Sequence, residues 1–155
     1  MRHIFARADG MIDPSAAESV ARSPRPIRIL HVEDDDTDAR IVAHFLESLT
    51  SATLSVERVC GVEEALSRLD AGAYDLCLLD CWLDAQSSLQ IVTRIDAMAA
   101  PVPIVLLSGA VGPEVREFAL MSGAADFVLK NELSASRLAR AIETALTRRG
   151  PKPAA

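Results

Sequence analysis

Residues 27–38 read IRILHVEDDDTD. The first six, with Ile27, Ile29, Leu30 and Val32, have the aliphatic and β-branched content of a short core strand. The chain then turns acidic: Glu33, Asp34, Asp35, Asp36 and, one residue on, Asp38. Like charges this close repel, and each resists burial. A core strand that ends in such a cluster delivers it to a place where something positive can gather it. The reading of everything downstream follows from asking what that is.

The rest of the body alternates strand and helix. Residues 39–49 (ARIVAHFLESL) carry Ile41, Val42, Phe45, Leu46 and Leu49 on one helical stripe. Residues 52–59 (ATLSVERV) alternate Leu54 and Val56 as a half-buried strand, and residues 62–72 (VEEALSRLDAG) are a helix closed by Gly72. Residues 74–80 (YDLCLLD) and 102–109 (VPIVLLSG) are nearly continuous apolar strands, as expected where both faces of a sheet are covered. A third helix covers 88–98. A fourth starts with Pro113 at its first turn and ends near Gly123. The last strand is 125–130 (ADFVLK), and the last helix runs over 134–149 with Ser134 as its cap. Five βα units predict an α/β fold, a parallel sheet with helices on both faces.

Around this body, residues 1–26 have a linker-like Ala, Ser, Arg and Pro composition, with room for a short helix from Asp13–Pro14 to Ala21. Met11 is an alternative start. Residues 150–155 read as a disordered tail after Gly150 and Pro151. The 155 residues fit one domain, here 27–149, and half of them are hydrophobic and a quarter charged. The net charge of −6 gives no basic footprint for nucleic acid. No apolar run approaches a membrane span, and the first residues lack a signal-peptide core. Cys60, Cys77 and Cys81 show no zinc spacing, and their odd number suits a reducing cytoplasm. Cys77 is expected to be a buried thiol and Cys81, at a strand end, to be partly exposed.

Open parallel sheets put their sites outside the carboxyl ends of the strands. Those ends carry Glu33, Asp34 and Asp35 after the first strand, Asp80 after the third, Ser108 after the fourth and Lys130 after the fifth. With the first strand central and the third and fourth beside it, these groups converge. Clustered carboxylates become favourable around a divalent cation, and Mg²⁺ takes one or two carboxylates together with waters and phosphate oxygens. One carboxylate can then act as nucleophile toward a phosphoryl group. Lys130 supplies a point charge and Ser108 a hydroxyl donor. Asp36 or Thr37 is the expected cap of the first helix, and Asp35, Asp36 and Asp38 are expected only to complement its dipole. His31 is expected to be a satisfied core histidine, and Arg137, Arg140, Arg148 and Arg149 a solvated face.

These residues resemble the receiver domain of two-component response regulators. ILHVEDD resembles its metal-binding strand end, YDLCLLD the strand ending in the phosphoacceptor, PIVLLSG the switch Ser/Thr strand, and GAADFVLK the final strand with an aromatic three residues before the Lys. The second helix and its connection, GVEEALSRLDAGAYDL, are also similar, so the resemblance covers about residues 27–149. It implies a flavodoxin-like, five-stranded sheet of order 2-1-3-4-5. It further implies Asp80 as phosphoacceptor, with Glu33 and Asp34 as Mg²⁺ ligands, one directly and one through water. The Trp82 carbonyl completes the protein ligands, Ser108 and Lys130 hold the phosphoryl oxygens, and Phe127 is the switch aromatic. The implied partners are a histidine kinase or histidine phosphotransfer protein and a downstream protein, or a second copy of the chain. The implied protein is a cytoplasmic single-domain regulator that catalyses only its own phosphorylation and dephosphorylation, because the tail after Arg149 is short.

The sequence departs from the pattern in several places, among them an unusually large Trp82 beside the expected acceptor and a small Ala110 two residues past the switch Ser. Asn131 replaces the Pro that usually follows the Lys, which predicts a trans bond and a different loop before the last helix. CWLDAQSSLQ after Asp80 lacks the usual Pro and Gly. Two other readings stand beside the resemblance. One is a receiver-like binding module that is never phosphorylated. The other is a haloacid-dehalogenase-like phosphatase, whose chemistry wants an acid two residues after the nucleophile, where this chain has Trp82 and reaches the next acid only at Asp84.

Overall fold

The computed structural model describes residues 25–83, 86–109 and 113–148. Its strands and helices follow in the order β1 (Ile27–Val32), α1 (Asp36–Glu47), β2 (Leu54–Val59), α2 (Val62–Asp70), β3 (Leu76–Asp80), the two-residue strands β4 (Trp82–Leu83) and β5 (Gln86–Ser87), α3 (Leu89–Asp96), β6 (Ile104–Ser108), α4 (Pro113–Met121), β7 (Asp126–Leu129), a 3₁₀ turn (Lys130–Glu132) and α5 (Ala135–Arg148). The segment before Arg25, the tail after Arg148 and the residues 84–85 and 110–112 lie outside the described residues, and so do the expected helix near Asp13 and part of the loop after Ser108.

The main sheet has the order β2-β1-β3-β6-β7, with every pairing parallel. Set aside the small ribbon β4-β5 and this is the expected order 2-1-3-4-5. Strand alternation sorts the side chains into two layers. Leu30, Val32, Cys77, Leu79, Leu106 and Phe127 pack with α2, α3 and Ala119 of α4. Ile29, Leu76, Leu78, Val105, Leu107 and Val128 pack with Val42 and Leu46 of α1 and with Leu138, Ile142 and Ala145 of α5. Continuing the same alternation by one step puts Glu33, Asp80 and Lys130 on the α1/α5 side, and Cys81 and Ser108 on the other.

The helix ends follow local chemistry. Gly72 (φ 82°) and Gly123 (φ 109°) take the left-handed conformation that closes α2 and α4. Ser134 Oγ accepts from the Arg137 N–H at 3.0 Å and caps α5. Helix α1 is capped by Asp35, whose Oδ1 accepts from the Asp38 N–H at 2.8 Å, not by Asp36 or Thr37 as expected. The cap falls one residue earlier because β1 ends cleanly at Val32 and Asp35 already has extended backbone. On α1 the buried stripe is Ala39, Val42 and Leu46, while Ile41 is exposed and Phe45 half-buried, so the stripe is rotated from the expected one. Val56 on β2 is likewise exposed, since β2 is an edge strand.

Three further expectations are corrected. Cys81 is buried, because the ribbon after β3 folds back over the strand end and the Ser88 N–H donates to the Cys81 carbonyl at 2.8 Å. His31 is buried, but its Nε2 has no hydrogen-bond partner among the described residues. Burial, then the charges of Arg58 and Lys130, push it down to about 4, so the ring stays neutral. The last-helix arginines are not simply a solvated face. Arg137 grips Asp126 (3.0 Å) and the Phe127 carbonyl (3.1 Å), and Arg148 donates to the Ala125 carbonyl (3.0 Å), so both fasten α5 to β7.

Candidate phosphoryl-acceptor site

The site lies at the carboxyl end of β1 and β3, the central strands of the sheet. Glu33 is the residue after β1, and Asp80 ends β3. Both are buried, whereas Asp34 beside them is exposed. Each offers a carboxylate oxygen within 4.8 Å of the other two. Three hard oxygen donors at that spacing, one of them open to solvent, fit Mg²⁺, which keeps some of its own waters. The Trp82 N–H donates to Asp80 Oδ1 at 3.3 Å.

Lys130 closes the cluster. Its Nζ stands 3.1 Å from Glu33 Oε2, 2.5 Å from Asp38 Oδ2 and 3.3 Å from Asp80 Oδ1. Burial alone would lower the ammonium pKa. Hydrogen bonds to Asp38 and Glu33 and the charge of Asp80 overcome that and raise it, so Lys130 remains a cation. Glu33 shows the reverse balance. Burial pushes its carboxyl up, the Asp35 N–H at 3.1 Å pulls it down, the charge of Asp80 pushes it up again, and Lys130 offsets only part, leaving it at about 7. Burial thus favours the neutral form of this acid more than water does, and a bound cation would favour its charged form. Arg58 Nε donates to the Glu33 carbonyl at 2.9 Å and its other arm holds Asp36 at 2.8 Å, fixing the turn from the β2 side.

Ser108 ends β6, fully buried, and hydrogen-bonds with the Cys81 thiol. It therefore faces the α2–α3–α4 layer and stands one step along the ladder from Phe127, whose register partner is Leu106. Phe127 is only 2% exposed, already turned into that layer. At Lys130 the chain enters a 3₁₀ turn in place of the usual Lys-Pro corner, and no peptide bond among the described residues is cis.

Two contributors escaped the sequence reading. Asp38 was expected only to complement the dipole of α1, yet it makes the shortest contact to Lys130. The register carried a signal: one turn in from the Asp35 cap, position 38 returns to the face that looks at the strand ends. Ser88 is buried, and its hydroxyl donates to the Asp80 carbonyl, bracing Asp80 from behind. It follows directly after the ribbon in which Trp82 pairs with Ser87 and Leu83 with Gln86, at the start of α3. Trp82, in that ribbon, is left half exposed beside Asp80.

Residues 29–143 match the response regulator receiver domain family model. The chain belongs to the response regulator receiver domain family. Among curated proteins it is 27% identical over 141 residues to a gliding motility regulatory protein of Myxococcus xanthus, covering 84% of this chain and 18% of that one. It is 29% identical over 127 residues to the transcriptional regulatory protein TcrA of Mycobacterium tuberculosis, covering 82% of this chain and 48% of that one. The chain thus spans less than half the length of either relative. Among solved structures, a Chloroflexus aurantiacus protein described as a response regulator superposes with a TM-score of 0.71 at 23% identity, over 80% of this chain and all of that one. A two-component response regulator of Clostridium difficile gives 0.67 at 23% identity, over 81% and 99%. These likenesses show the receiver fold, a five-stranded parallel sheet with helices on both sides. No helix among the described residues is long and apolar enough to cross a membrane.

Proposed function

We propose that this receiver accepts a phosphoryl group on Asp80 from a phosphohistidine of a histidine kinase or phosphotransfer protein, in a Mg²⁺-dependent reaction, and signals through protein contact in the cytoplasm. The observation that carries the reading is the placement of Asp80 Oδ1 3.3 Å from Lys130 Nζ, inside a triad of carboxylates spaced for one divalent cation. An Asp80 oxygen attacks phosphorus in line, an acyl phosphate forms, and the phosphorus–nitrogen bond of the donor breaks. The donor imidazole leaves with the bonding electrons. Mg²⁺ held by Glu33, Asp34, Asp80 and the Trp82 carbonyl would supply charge neutralisation. Lys130 pairs with a phosphoryl oxygen, and Ser108 donates to another by turning away from Cys81.

That turn gives the signal a route. Ser108 and Phe127 share the α2–α3–α4 face, so a shift of Ser108 toward the acceptor frees volume next to Phe127 and biases the packing of α4 and β7. The phosphoryl group can bias the two arrangements only by its different interaction with each. A downstream protein or a second copy of the chain would read the altered surface. The phosphatase alternative loses support because position 82 carries no acid and the matching family is a receiver.

The test is treatment with acetyl phosphate, or with beryllofluoride, in the presence of Mg²⁺. Acid-labile labelling of the wild type that disappears in Asp80→Asn supports the assignment. Labelling that persists in Asp80→Asn moves the acceptor elsewhere, and a wild type that takes neither reagent, nor phosphoryl groups from kinases of its host, is a binding module.

A further inference from the structure

Lys130 donates hydrogen bonds to Glu33 at 3.1 Å and Asp38 at 2.5 Å and stands in an ion pair with Asp80 at 3.3 Å, so three carboxylates share its ammonium group. A phosphoryl oxygen arriving at Asp80 must displace one of these partners. Glu33 is buried and its other oxygen is tied to the Asp35 N–H. Asp80 is the group being modified. The partner left in competition is Asp38, and it is held in place, because the Asp35 cap fixes its backbone N–H at 2.8 Å.

Its charge also matters in its own right. The contacts through Lys130 put Asp38 Oδ2 within about 6 Å of Asp80 Oδ1, a range in which like charges oppose each other appreciably. Asp36, two residues earlier, is turned away onto Arg58 and does not share this geometry.

We propose that Asp38 is a positioning residue that restrains the acceptor: it holds Lys130 against α1 and sets a negative charge beside the place a phosphoryl group would occupy. This rests on the phosphoryl-acceptor reading of Asp80. The carboxylate at position 38 weakens binding of anionic phosphoryl groups and strengthens binding of the cation. Its removal therefore moves the two affinities in opposite directions, which loss of a merely structural contact would not do. Loosened packing at the start of α1 would weaken both.

The experiment uses the full chain and two probes. Mg²⁺ alone is titrated by calorimetry, and beryllofluoride is titrated at saturating Mg²⁺ by fluorine NMR. Asp38→Asn is expected to bind beryllofluoride about three- to tenfold more tightly than wild type and Mg²⁺ about two- to fivefold more weakly. Asp38→Glu, which keeps the charge, should stay near wild type, and Asp36→Asn should change neither affinity. Asp38→Asn weakening both ligands or leaving both unchanged overturns the restraint, as does Asp38→Glu behaving like Asp38→Asn. A wild type that binds Mg²⁺ but no beryllofluoride overturns the acceptor reading itself, a different result from a wild type that binds both and an Asp38→Asn that matches it.

Discussion

Replacing Glu33 by Gln tests whether burial or ion pairing dominates at the centre of the site. Glu33 is fully buried with Lys130 3.1 Å away, and burial leads in raising its carboxyl from 4.5 to about 7 despite that lysine. A raised carboxyl pKa means that the folded state holds its proton more tightly than the unfolded chain does. The associated stability is fully present below about pH 4.5 and is lost as pH rises to about 7. Each pKa unit corresponds to about 1.4 kcal/mol, so ionised Glu33 costs the metal-free fold at most about 3–4 kcal/mol at pH 8. Relaxation and water reaching the rim reduce this to about 1–2 kcal/mol. Gln keeps the shape and removes the charge. In urea denaturation without Mg²⁺, Glu33→Gln should be about 1–2 kcal/mol more stable than wild type at pH 8. The gap should shrink through neutrality and close below about pH 4.5. Added Mg²⁺ should reverse the order, since a ligand at a hundred times its Kd adds about 2.7 kcal/mol to the form that binds it. A Glu33→Gln protein less stable than wild type at pH 8 without Mg²⁺ would refute the argument, because the Lys130 pair would then outweigh the burial cost.

The remaining expectations concern the back and flanks of the site. Ser88→Ala removes the hydroxyl that holds the Asp80 carbonyl; it should cost about 1 kcal/mol in urea denaturation and slow labelling by acetyl phosphate several-fold without abolishing it. Trp82→Asn replaces a half-exposed indole by a small amide able to guide water in line with the leaving oxygen, so the phosphorylated half-life should shorten, and an unchanged or longer half-life would show that the indole does not cover that path. His31→Leu should remove the loss of stability that wild type suffers as pH falls from 6.5 to about 4, where the unfolded chain takes up a proton that the buried ring refuses; an unchanged slope across that window would count against the neutral ring. Phe127→Ala would leave a large cavity costing about 3–5 kcal/mol, so the switch is better probed with Ser108→Ala and Phe127→Leu, which should leave Asp80 modifiable while uncoupling phosphorylation from partner binding.

What could be read in the sequence, and what could not, follows from the period of the strands. Each of β1, β3, β6 and β7 announces itself as a short apolar run, and each hands its next residue to the same edge of the sheet. A period of two then fixes which of those residues share a side. Glu33 and Asp80 continue the Ile29 and Leu78 side, and Lys130 continues from Val128, so one strand parity brings a lysine 97 residues away onto Glu33. The contributions from helix and loop had no such rule. Asp38 reaches Lys130 only because the cap falls at Asp35, and a shift of the cap to Asp36 would turn position 38 by about 100° around the helix. The same ambiguity rotated the apolar stripe of α1 and left Ile41 outside.

The acidic run after β1 is therefore a division of labour that a count of charges does not reveal. Glu33 and Asp34 stand with Asp80, Asp35 caps, Asp36 anchors Arg58, and Asp38 turns back to Lys130. Five acids within six residues would repel one another if they pointed the same way. The turn out of β1 and the first turn of α1 spread them over separate partners, and only those aimed at the strand ends meet at the acceptor. The excess negative charge that remains there is offset at rest by Lys130 alone among the cations that contact Asp80 in the described residues. A cation bound at this rim would relieve that imbalance, and on the proposed reading a phosphoryl group would then take a donor from Lys130. On the proposed reading the charge arrangement favours one order of events, since a bound metal would lower the repulsion that an incoming anion meets.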